Sequence, residues 1–166
     1  MKRIKSRQIL ARSTQSGAAA IEFALIFPLM LAVVYGGMVY SYVYFLQQSI
    51  NFAAQQGVQA AVSVPPTSDP AADLAKRTGL ADGVRSSTLS WLPGDQASRV
   101  SSSAPTTGGC PGAPAPSANT FTYLVSFTLS GGTGGALFPT LVNLPMGLGS
   151  IPPLPATLTA CAVAFT

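Results

Sequence analysis

From Phe23 to Ser68 the sequence holds no charged residue, and its first half, Phe23 to Leu46, reads FALIFPLMLAVVYGGMVYSYVYFL. A helix rises ~1.5 Å per residue, so this run reaches ~36 Å and covers a hydrocarbon core of ~30 Å with some tilt. A buried core helix needs only about 10–14 apolar residues. A secretory signal has an apolar region of about 7–15 residues followed by a small-residue cleavage site. Here the run is too long, and the nearest small-residue sites, around Val58–Ala61, lie too far downstream. The run therefore reads as a membrane span. Tyr35, Tyr40, Tyr42 and Tyr44 crowd its far end, as an interfacial aromatic belt does.

The charges fall on either side of this run. Only 8% of the chain is charged, against about 25% in a soluble domain. Lys2, Arg3, Lys5, Arg7 and Arg12 stand in the first twelve residues with no acid among them. Residues 18–166 carry four positives against five acids, so the formal charge of +4 belongs to a leader. A basic flank stays on the cytoplasmic side, which predicts an N-terminus inside and the remainder outside. No aromatic residue is interleaved with these cations, so a nucleic-acid partner is not expected. The chain has no His. That removes the commonest general base and zinc ligand and every Ser-His-Asp arrangement.

One acid touches the apolar helix. Glu22 lies at the cytoplasmic edge of the run, and a carboxylate at a membrane centre costs about 2.5–3.5 kcal/mol, less near an interface. Either it snorkels to the headgroups or it pairs with a cation. The residues around it, Ser16-Gly17-Ala18-Ala19-Ala20-Ile21-Glu22-Phe23, resemble the processing site of type IV pilin-like precursors. The longer stretch GAAAIEFALIFPLMLAVVYGGMVYSYVYFLQQSINFAAQQGVQAAV is similar to the TadE-like pseudopilins of tight-adherence (Flp/Tad) pili. The resemblance is carried by Gly17, Glu22-Phe23, Pro28, the Tyr-rich helix end, Gln47-Gln48 and the Ala-rich run to Val62. Phe27 departs from the small aliphatic residue usual before the proline.

The resemblance implies that residues 1–17 are a leader cut after Gly17 by a prepilin peptidase. Ala18 would then be the new N-terminus and Glu22 the fifth mature residue. It also implies that Glu22 meets the freed amine of a neighbouring subunit during assembly. Two groups that are costly in lipid become less so when paired. Ala18 and Glu22 share one helix face, so a contact within one chain is open as well. Other implied partners are further pilin or pseudopilin subunits and the assembly platform.

Pro28 lacks an N–H and leaves the Ala24 carbonyl without its usual partner, which predicts a kink. Ala32/Gly36 and Gly37/Ser41 have the small-xxx-small spacing of close helix packing. Beyond the span, Leu46, Ile50, Ala53, Ala54, Val58 and Ala61 form an apolar stripe at helical period, opposite Gln47, Gln48, Asn51, Gln55, Gln56 and Gln59. One helix from about Ala18 to Val62 follows, ended by Pro65-Pro66, and 18–64 forms a transmembrane and amphipathic segment.

Residues 65–166 hold thirteen Pro and twelve Gly. Asp69-Pro70 reads as a cap with proline at the first helical position, and Gly79 as the close of a short helix. Thr88–Leu92 reads as a strand and residues 100–119 as an irregular loop. Phe121, Tyr123, Val125, Phe127 and Leu129 alternate with Thr122, Leu124, Ser126 and Thr128, a strand with one face buried. Gly131 to Gly135 reads as a turn, Leu137 to Pro155 as too broken for a second span, and Thr157 to Phe165 as a last strand antiparallel to 121–129. The fold class is α+β: a long transmembrane helix, then an extracytoplasmic head with an antiparallel sheet, pilin-like by resemblance. The GGTGG run has no following lysine, so neither phosphate nor a cofactor is expected there.

Cys110 and Cys161 fall on the outer side, where a disulfide is permitted. Two buried thiols are the alternative, and two thiols without His make a poor zinc site. The function that fits best is a minor pseudopilin or assembly subunit of an adhesion pilus. It would sit in the bacterial inner membrane with a periplasmic head, and outside the cell in an assembled pilus. No enzyme activity or small-molecule substrate is expected. The alternative is an unprocessed single-pass envelope binding or scaffold protein.

Overall fold

A computed structural model of the chain describes residues 15–105, 110, 120–130, 135–139, 142–143, 150–151 and 153–165. Residues 1–14, within the expected leader, lie outside this set. The chain divides into two units, Met1–Ser41 and Tyr42–Thr166. Helix α1, Gln15–Val62, contributes to both and continues through Pro28 without interruption.

In the first unit most apolar side chains face outward, Val39 near its end being buried. Phe23, Leu25 and Leu29 are each about two-thirds exposed or more. Phe23 and Phe27, one turn apart, stack with centroids 5.3 Å apart. The Ser41 hydroxyl donates to the Gly37 carbonyl at 2.7 Å, which satisfies a polar group inside an apolar stretch.

The second unit holds the core. Leu46, Ile50, Ala53, Ala54, Val58 and Ala61 are all buried, as their spacing predicts. Helix α2, Pro70–Thr88, starts where Asp69 caps it: its carboxylate accepts from the Ala71 and Ala72 amides at 3.1 and 3.2 Å. Gly79 does not close this helix. An interior glycine costs only about 1 kcal/mol relative to alanine, and burial of Ala81 downstream offsets it. Thr88–Leu92 is not a strand either. Its β-forming residues are overridden by Leu89 and Leu92, three apart and both buried, in a turn closed by the Leu92 amide on the Leu89 carbonyl at 3.0 Å. A short helix α3, Gly94–Ala97, follows.

α2 returns antiparallel along α1. Arg77 donates to the Val64 carbonyl at 3.2 Å, Ala81 lies beside Gly57, and Trp91 meets Phe45. The sheet has the order β1-β2-β5, all antiparallel, with β1 Val100–Ser103, β2 Thr120–Thr128 and β5 Thr157–Phe165. β1 corrects the expected loop over 100–119. Its serines carry no strand pattern of their own, and pairing with the strongly patterned β2 recruits them. The rest of that loop, 106–109 and 111–119, lies outside the described residues, as does 131–134. β2 and β5 pair as expected, with Tyr123 opposite Ala162 and Leu124 opposite Cys161. The inward face of β2, Phe121, Tyr123, Val125 and Phe127, is buried, and so are Leu158 and Ala160 of β5. The described part of 137–155 includes a two-residue ladder of β3, Val142–Asn143, with β4, Ser150–Ile151.

Candidate functional site

The residues singled out near the N-terminus all fall on α1. Gly17, Ala18, Glu22, Phe23 and Pro28 are exposed, and a side chain added at Gly17 would meet open space. Ala18 and Glu22 stand one helical turn apart, so an amine and a carboxylate borne there share a face. This helix is the one described element long and apolar enough to cross a membrane, with a stretch of mean hydropathy 2.2 that is not covered by the rest of the chain. A soluble core helix of that composition would be buried.

The head carries a polar cluster that the sequence pattern did not single out. One carboxylate oxygen of Asp82 in α2 accepts two hydroxyl hydrogen bonds and forms an ion pair. The Tyr123 hydroxyl of β2 donates at 2.5 Å, the Ser102 hydroxyl of β1 at 2.6 Å, and Arg85 pairs with it at 3.6 Å. Burial pushes the Asp82 carboxyl up, but the Ser102 and Tyr123 hydroxyls and the Arg85 charge hold it below its usual value. Burial, together with the bond to Asp82, pushes the Tyr123 phenol up to about 12. The cluster fastens α2 to two strands. It sets no nucleophile against a base, so its chemistry is that of a structural latch.

A second carboxylate works locally. Asp73, buried in the first turn of α2, accepts from the Thr67 amide at 2.6 Å and the Thr67 hydroxyl at 2.7 Å. These two bonds, opposed by burial and helped by Arg77 and Lys76, hold its carboxyl below the usual range. The Ser102 and Tyr123 partners of Asp82 lie 20 and 41 positions from it, which explains why alternation and spacing did not reveal that cluster. A shallow groove of 260 Å³ beside Arg85 is lined by Ser86, Leu89, Ser90, Leu92, Ala97 and Val100. Among the described residues no group of three His, Cys, Asp or Glu could hold a metal ion.

Cys110 and Cys161, 51 positions apart in sequence, are joined in a disulfide with Cα atoms 5.6 Å apart. Cys161 sits in β5 opposite Leu124, so the bridge ties the segment before β2 to the middle of the edge strand β5.

No curated protein and no solved structure matches the chain. The family comparison bears on α1 alone: residues 17–59, from the glycine before the apolar run to the glutamine-rich part of the helix, match the TadE-like protein family, the one that Gly17, Glu22-Phe23 and Pro28 resemble.

Proposed function

We propose that this chain is a minor pseudopilin or assembly subunit of a tight-adherence pilus. α1 anchors it in the inner membrane as a single span with a cytoplasmic N-terminus and a periplasmic head. A prepilin peptidase removes residues 1–17, and the helix then packs against other pilin subunits and the assembly platform. In an assembled pilus the head is extracellular and supports adhesion. The role is structural, and the chemistry is done to the protein by its peptidase.

One observation carries the reading: an exposed apolar helix whose lone acid stands five residues beyond Gly17, within the segment that matches the TadE-like family. Exposure supports a lipid or protein environment for the helix, and Glu22 supports a cationic partner within it.

The test is the N-terminus of the protein extracted from membranes. Mass spectrometry is expected to give Ala18. A chain that keeps Met1 in pilus-producing cells refutes processing and favours the unprocessed envelope scaffold.

A further inference from the structure

The apolar run ends at Tyr42–Leu46, and two contacts fasten a surface turn of the head to that last helical turn. The Phe45 ring meets the Trp91 indole with centroids 5.1 Å apart. The Tyr42 hydroxyl donates to Gln96 Oε1 at 2.6 Å. Trp91 and Gln96 lie between α2 and β1, Trp91 in the turn whose Leu92 is buried in the core and Gln96 in the short α3 that follows it. The turn is thus firmly seated, yet its indole points away from the core. Trp91 is 44% exposed, Phe45 53% and Tyr44 67%.

Three large aromatic rings left half bare at one level of a helix need a reason. An indole with an apolar body and one N–H donor suits the boundary between acyl chains and headgroups, where Trp and Tyr are enriched. The patch is continuous with the end of the apolar run, and the segment that carries Trp91 also holds exposed Ser90 and Asp95 and the Gln96 that meets Tyr42. We propose that the Ser90–Gln96 turn rests on the bilayer that α1 crosses, with Trp91, Phe45 and Tyr44 seated at the headgroup–acyl boundary. The head is then held against the membrane by a second contact besides its helix. This rests on the membrane-span reading above.

Trp91 is the only tryptophan of the chain, so its fluorescence reports this site alone. The full chain is reconstituted into phosphatidylcholine vesicles that contain lipid brominated either near the headgroup end or near the tail end of the acyl chains. Flotation on a density gradient first establishes that the protein is membrane-bound. Emission is expected to be quenched more by the headgroup-end bromines than by the tail-end ones, as for a ring at the interface. Aqueous acrylamide is expected to quench it weakly. A control places the probe elsewhere, by Leu80→Trp in a Trp91→Phe background. Leu80 is exposed beside Ala81, which packs at Gly57, twelve residues or about 18 Å along α1 from Phe45. That probe is expected to escape the brominated lipid.

Floating protein whose Trp91 is untouched by either lipid overturns the proposal, whether acrylamide then reaches the ring or a second copy of the chain covers it. Equal quenching of the two probes also overturns it. Failure to float overturns the membrane reading itself, and this inference with it.

Discussion

Gly57 of α1 passes so close to Tyr123 of β2 that a Cβ at position 57 would lie 3.1 Å from the ring's Cε1 and 3.3 Å from the Ala81 carbonyl oxygen of α2. Helix, returning helix and sheet meet at this point. The ring cannot give way easily, because Tyr123 is fully buried and its hydroxyl is held by Asp82.

Gly57→Ala is therefore expected to destabilise the head. In a free helix the change would stabilise by about 0.5–1 kcal/mol, but overpacking costs about 1–3 kcal/mol, so the net is a loss of about 1 kcal/mol. Gly79→Ala and Gly83→Ala in α2 meet open space and are expected to stabilise by about 0.5–1 kcal/mol each. Denaturant unfolding of the detergent-solubilised protein measures all three. The same sign at positions 57 and 79 would show that the close approach does not matter.

The latch predicts a pH dependence with two limbs. The Tyr123 phenol is raised from 10.0 to about 12 in the folded state. Its contribution is complete below pH 10 and is lost as pH rises through about 12. The Asp73 and Asp82 carboxyls are lowered from 3.8. Their contributions are complete above that value and are lost as pH falls through the lower folded values. Tyr123→Phe is expected to flatten the alkaline limb of Tm against pH. At neutral pH it costs about 1.5 kcal/mol, the low end for a bond to a charged group, because the Asp82 side chain is 40% exposed. An alkaline limb unchanged by Tyr123→Phe would place its origin elsewhere.

Much of this fold is legible in local sequence. The α1 stripe, the alternation of β2, the β2–β5 pairing and the Asp69 cap each follow from a period or a single residue type. The errors arise where a local signal meets a tertiary one. Gly79 reads as a stop, yet burial of Ala81 carries the helix past it. Thr88–Leu92 looks like a strand, yet Leu89 and Leu92 bury together in a turn. The Asp82–Ser102–Tyr123 cluster joins residues up to 41 positions apart, and no pattern of period 2 or 3.6 reports such a meeting. At the proposed processing site the reverse holds: Gly17 and Glu22 stand out by type and spacing, while their surroundings in the fold are bare.

The disulfide is expected to contribute strongly. Closing a loop of 51 residues removes unfolded-state entropy worth about 4 kcal/mol in the chain-entropy picture, an upper figure for a real bridge. Reduction, or the Cys110→Ser/Cys161→Ser pair, is expected to lower Tm by several degrees while the protein stays membrane-bound. An unchanged Tm after reduction, with free thiols verified by alkylation, would contradict a stabilising bridge.

Gly17 and Glu22 are expected to fail at different steps, which makes them separable. A peptidase that cuts after Gly17 must accept a residue without a side chain there, so Gly17→Val is expected to accumulate as the longer precursor on an immunoblot. Glu22→Ala leaves the cut site intact and removes a charge from an apolar helix, which eases insertion. It is expected to be processed, yet poorly recovered in the sheared pilus fraction, because the Ala18 amine then has no carboxylate to meet in a neighbouring subunit. Glu22→Gln keeps the size and the polar end but not the charge, so it is expected to behave like Glu22→Ala if ion pairing is what matters, and like wild type if hydrogen bonding suffices. Normal piliation with both Glu22 variants would remove the pairing role. Wild-type mobility of Gly17→Val, at the size of the trimmed chain, would remove the cleavage site.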